Sequence, residues 1–149
     1  IVILSREHHT GLLFCWKIRQ GLKKNAAESR MQPYVAYFWE SHLQQHFREE
    51  EEQMFLKVND ELCQKALLQH AEIKNIITQV TSSNPAPTTA LLNHLADTVD
   101  AHIRFEEREL FPHLEAVLSE EELKRISAAL EQSHATPVQD NFPDAFWVN

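Results

Sequence analysis

Two residue pairs in this chain have the types and spacing of metal ligands: His46 with Glu50, and His102 with Glu106. A gap of four puts each pair one turn apart on a single helix face. Imidazole nitrogen and carboxylate oxygen together suit iron, zinc, manganese or copper. With 9 histidines among 149 residues and many glutamates, such a pair arises readily by chance. The surroundings of these two also match, however. His46-Phe-Arg-Glu-Glu-Glu-Glu-Gln-Met-Phe-Leu aligns with His102-Ile-Arg-Phe-Glu-Glu-Arg-Glu-Leu-Phe-Pro. The histidine, the arginine, the two successive glutamates and a phenylalanine are shared, so the polar pair belongs to an internal repeat. His70 and His8 each interrupt an apolar stripe elsewhere in the chain. Buried without partners, such groups would be strongly destabilising. Four imidazoles and two carboxylates converging from different helices make a site for two metal ions, with the carboxylates able to bridge them. The competing reading is a carboxylate–imidazole network in the core with no metal.

The first-helix ligand has two candidates, because His8 and His9 are adjacent and stand about 100° apart on a helix. The stripe of Leu4, Cys15, Ile18 and Leu22 centres near His8, while His9 shares its phase with Leu12 and Trp16. His42 lies one turn before His46, as a further ligand or as packing. Residues 49–52 read as partly a solvated charged face, on which only Glu50 has the inward phase. Glu51 and Glu107 read as outward or as supports behind the ligands, and His94, His113 and His134 as surface or supporting groups. Trp16, Trp39 and Tyr37 read as packing.

Apolar periodicity places these residues on helices. A first helix is predicted over about 5–24, with Ser5 as its N-cap. A second runs from Pro33, a residue suited to the first helical position, to about 57, with Val35, Trp39, Leu43, His46, Glu50 and Met54 on one face. Asn59 or Asp60 caps a third, whose stripe is Leu62, Ala66, Leu67, His70, Ile73, Ile77 and Val80. A loop with two prolines follows over 81–87. The fourth helix runs from about 88 to 111 or beyond, with Leu95, Val99, His102, Glu106 and Leu110 inward and Pro112 near its end. Ser119 and Glu122 form a capping box for a short fifth helix over 119–133. An irregular tail follows over 134–149, and its Phe142, Phe146 and Trp147 are too apolar to stay in water. The expected fold is all-α: an up-down-up-down four-helix bundle over about 5–117, with a short fifth helix and a docked C-terminal tail, forming one domain across 1–149.

Composition agrees. The chain has only 2 glycines, too few for the tight turns of a sandwich or barrel. Its net charge of −8 repels phosphate, which argues against nucleic acid or an anionic membrane as partner. Cys15 and Cys63 have neither CxxC spacing nor a disulfide framework, and read as thiols of a reducing, cytoplasmic compartment. No apolar run approaches the roughly 18 residues of a membrane span. The chain opens on Ile1 rather than methionine, which leaves room for a short leader.

Taken together, Glu7-His8-His9, His46-x-x-x-Glu50-Glu51, His70 and His102-x-x-x-Glu106-Glu107-x-x-Leu110-Phe111-Pro112 resemble the hemerythrin-like family, often named for its His-His-Glu pattern. The resemblance covers about residues 5–115. It implies a non-haem centre of two iron ions in a four-helix bundle, with an oxo, hydroxo or water bridge. Glu50 and Glu106 would bridge the irons, and His8 or His9, His46, His70 and His102 would be terminal ligands. Oxygen-carrying members have a second histidine one turn before the third-helix ligand, where this chain has Ala66. They also have an aspartate five residues after the last histidine, where the carboxylate of matching phase here is Glu106. The fit is therefore to the broader bacterial-type domain, whose members are linked to oxygen or nitric oxide binding, iron handling and stress response. No nucleophile with a base stands beside the ligands, so binding or sensing a diatomic gas ranks above catalysis. The rival is a di-iron peroxidase, oxidase or nitric oxide reductase. A ferritin-like enzyme would use several Glu-x-x-His pairs, and this chain has only Glu131 with His134.

Overall fold

The computed structural model describes residues 1–134 and 140–148, and among them there is no strand. Five helices account for most of the chain. Helix α1 spans Val2–Lys23, starting earlier than the Ser5 cap expected from propensity. Ile1 and Leu4 explain the difference, since both are buried in an apolar cluster that the extra turn delivers them to. Ser5 instead donates its hydroxyl to Glu107 at 3.1 Å.

Helix α2 covers residues 28–58 and begins with Glu28, so Pro33 lies inside it rather than at its start. Proline there forfeits one backbone bond. Burial of Met31, which has no exposed surface, favours the extra turn. Two wide π-type turns, Trp39–Leu43 and Glu51–Phe55, interrupt α2 without ending it. Helix α3 spans Glu61–Ser82, and the Asp60 side chain accepts from Cys63 N at 3.1 Å, as a cap should. Helix α4 covers 89–117, capped by Thr88, with a third π-type turn at Glu106–Leu110. Pro112 follows that turn and the helix continues past it. The capping box of Ser119 and Glu122 is present in both directions, and starts α5 at Glu120–Ser133.

α1 packs on α4, α4 on α3, α3 on α2 and α2 on α1, closing the bundle. Short connections between neighbours give the antiparallel course expected. Two apolar clusters fill it. One contains Phe14, Ile18, Tyr34, Phe38, Leu95 and Val99; the other contains Leu4, Met54, Phe55, Leu110, Phe111 and, from α5, Ile126 and Leu130. The polar candidates sit in sequence between members of the two clusters on every bundle helix. No helix among the described residues is long and apolar enough to cross a membrane.

The described part of the tail is docked, while residues 135–139 and 149 lie outside the described residues. Phe146 is fully buried beside Tyr34, with ring centroids 5.3 Å apart. Asp140 accepts from Lys17 at 2.8 Å and from the Tyr34 hydroxyl at 2.6 Å, and Lys17 lies over the Trp147 ring at 4.1 Å. Gly21 permits this close approach. A Cβ there would come within 2.7 Å of the Phe146 ring and 2.9 Å of the Met31 sulfur. Gly21→Ala should therefore lower stability by about 1–3 kcal/mol through overpacking. Thermal unfolding would check this; an unchanged midpoint would mean the tail yields without cost.

Candidate metal centre

The four bundle helices bring His8, His46, Glu50, His70, His102 and Glu106 together, each buried. His9 is exposed, so of the two adjacent candidates it is His8 that joins the cluster. The donors fall into two sets of four. His8, His46, Glu50 and Glu106 form one, and Glu50, His70, His102 and Glu106 the other, with donor atoms within 4.8 Å of one another in each. Both sets contain the same two carboxylates. That is the layout of two neighbouring ion positions sharing their acidic ligands.

The ring nitrogens are sorted accordingly. Each Nε2 faces the carboxylates: His8 lies 2.8 Å from Glu106, His46 3.3 Å from Glu50, His70 3.2 Å from Glu50 and His102 3.3 Å from Glu106. Each Nδ1 meets an outer acceptor: Glu107 at 3.1 Å, Glu7 at 3.0 Å, Glu51 at 2.8 Å and Gln69 at 2.6 Å, in the same order. Holding the proton on Nδ1 leaves the Nε2 lone pair inward, the tautomer a metal needs.

Does a cation fit? The Nε2 atoms of His46, His70 and His102, both oxygens of Glu50 and one of Glu106 are buried with no hydrogen-bond partner. Buried polar atoms left unpaired cost about 1–3 kcal/mol each, so their convergence on one point calls for a positive ion. Mixed imidazole and carboxylate donors suit iron among the transition metals.

Residues 1–114 match the family model of the hemerythrin HHE cation-binding domain. The chain belongs to that family. No curated protein and no solved structure matches it. The matched stretch of this HHE domain ends before α5, so α5 and the tail are additions to the matched core.

The internal repeat acquires a structural meaning in the HHE domain. Each copy supplies one histidine and one shared glutamate. Its next glutamate braces a histidine from another helix: Glu51 holds His70, and Glu107 holds His8. Its phenylalanine packs on that same ring, Phe55 on His70 at 5.5 Å and Phe111 on His8 at 5.3 Å. Each copy thus places its histidine in one set and braces a histidine of the other. The solvated reading is corrected at Glu49, which is buried beside Ser133 at 3.1 Å and His134 at 3.2 Å of the helix-five end, while Glu52 is exposed as read. Of the two readings of Glu51, the supporting one holds. Glu51→Ala should accordingly weaken metal binding by about 10–100-fold, whereas Glu51→Gln, which keeps an acceptor, should retain most of it. Competition with a chromophoric chelator would measure both; equal affinity in the alanine variant would deny the bracing role.

Glu7 and Gln69 carry no periodic signal that would have assigned them. His94 is exposed and His113 pairs with Asp60, both away from the cluster, while His134 contacts Glu7 at 3.1 Å. Trp39 packs edge-on to Phe47 at 6.0 Å, and Trp16 is half-exposed.

Burial alone would strip protons from the buried imidazoles. At His70 it is outweighed by Glu106, Glu50 and Glu51, which push the ring up to about 10. His46, against Glu50 and Glu7, and His8, against Glu106, are also held above the ordinary range. Glu106 is held well below the carboxylate range despite its burial, by His102, His70 and His8. His42 behaves oppositely, since burial and the neighbouring His46 push it down to about 4.

Proposed function

We propose that this HHE domain holds two iron ions and binds or senses a diatomic gas, oxygen or nitric oxide. The observation that carries the reading is the pair of four-donor sets sharing Glu50 and Glu106. Bound there, an iron pair would supply open coordination positions and electrons to a small ligand. The chain's own residues do the rest. Glu7, Glu51, Glu107 and Gln69 fix four imidazoles, and Phe47 stacks on His70 at 3.7 Å to hold its plane.

A void of about 10 Å³ lies against His8, His46 and His102, walled by Gly11, Leu43, Phe47, Val99 and Ile103. It has room for about one water molecule beside the inward-facing donors. Gly11 is part of this design, because a Cβ there would come within 2.7 Å of Ile103. Cys15 and Cys63, both free and buried, fit a reducing compartment such as the cytoplasm.

The test is stopped-flow spectroscopy of anaerobically iron-loaded protein mixed with oxygen and, separately, with nitric oxide. A single optical change of one equivalent per centre, without continued gas consumption, is expected. No response to either gas would overturn the reading, and sustained turnover would make the domain an enzyme.

A further inference from the structure

A second group of donors lies between the paired centre and solvent. Glu7, His42 and His46 each place a donor atom within 4.8 Å of the others. His42 is 5% exposed, and its Nδ1 has no hydrogen-bond partner. An unpaired nitrogen in such a position is destabilising unless something meets it. One Glu7 oxygen accepts from His46 at 3.0 Å and lies 3.1 Å from His134 Nε2, and a carboxylate has a second oxygen to offer.

Two cavities meet at these residues. One, of about 320 Å³, is lined by Arg6, Glu7, Thr10, His42, Glu131 and His134 among others. The other is the small void beside the paired centre, and Glu7 and His42 line it as well, next to His8 and His46. The pair therefore stands at the partition between the larger cavity and the buried donors. Glu7 and Glu131 outweigh Arg6, leaving the larger cavity with a net attraction for cations.

We propose that Glu7 and His42 form a third divalent-cation site, weaker than the paired centre, which loads that centre from the larger cavity. Water completes the coordination, as two protein donors leave most positions open. From this site an ion has His46 and His8 within the same void, so transfer inward replaces water by buried donors one at a time. The inference rests on the paired centre proposed above. It assigns His42 a role that the four-donor sets leave unfilled.

Equilibrium dialysis of the full chain against Co²⁺, with metal counted per chain, tests it. The wild type should bind a weak third ion beyond the two held tightly. His42→Leu and His42→Phe, two apolar replacements of different shape, should each bind two and lose the third. Two independent variants guard against one that misfolds. Saturation of the wild type at two ions would overturn the loading site and leave the paired centre standing. A third ion that persists in both folded variants would overturn it too, by placing that ion elsewhere. Fewer than two ions in the wild type would overturn the paired centre, and this inference with it.

Discussion

Replacing Glu50 or Glu106 by alanine is expected to empty the metal centre while leaving the helices in place. Each carboxylate belongs to both four-donor sets, so one substitution removes a donor from each ion position at once. Metal content should fall from about two ions per chain to below one. Removing one partner of a buried ion pair is often severe because it strands a charge. Here the stranded groups are imidazoles that can release their protons, so the cost to the metal-free fold is limited. The two apolar clusters, which carry most of the folding energy, are untouched. Elemental analysis and far-ultraviolet circular dichroism would be read together. Full metal content in either variant would mean that Glu50 and Glu106 are not shared ligands. Glu52→Ala, at an exposed position of the same stretch, is the control.

The stability that metal adds should grow as pH rises. In the metal-free protein His70 titrates at about 10 against an ordinary value of 6.5. A folded-state value above the unfolded one means the protonated ring stabilises the fold. That contribution is fully present below about pH 6.5 and is lost as pH rises toward 10. His8 and His46 shift in the same direction and add to it. A metal ion needs these nitrogens free of protons, so it competes with the stabilising charge. The gap between metal-loaded and metal-free thermal midpoints should be small near about pH 6 and widen toward about pH 9. A gap that stays constant across that range would mean the histidines are not ligands. From reference values alone, competition would centre on about pH 6.5. The carboxylates around the cluster move it toward alkali.

What the sequence disclosed of this site was its inner layer. His46, Glu50, His102 and Glu106 repeat within single helices, and His8 and His70 break apolar stripes, so one helix's periodicity suffices to find each. The outer layer is different in kind. Glu51 braces a histidine on α3, Glu107 one on α1, and Gln69 one on α4. Those positions flank the inward face, and a flank looks solvated until a neighbouring helix is set beside it. Glu49 was misread for the same reason, since the end of α5 covers it. The helix starts at Val2 and Glu28 were missed because burial of Leu4 and Met31 overrode the cap and proline signals of Ser5 and Pro33. The three π-type turns leave the apolar pattern nearly intact, although two of them fall within the copies of the repeat.

The decisive measurement is the number of iron ions each folded chain retains after anaerobic reconstitution and desalting. Four buried imidazoles around two shared carboxylates lead us to expect about two. Less than one ion of any metal, in protein that stays helical and monodisperse, would contradict the paired centre. The cluster would then be a metal-free network of imidazole and carboxylate, held by its own ion pairs.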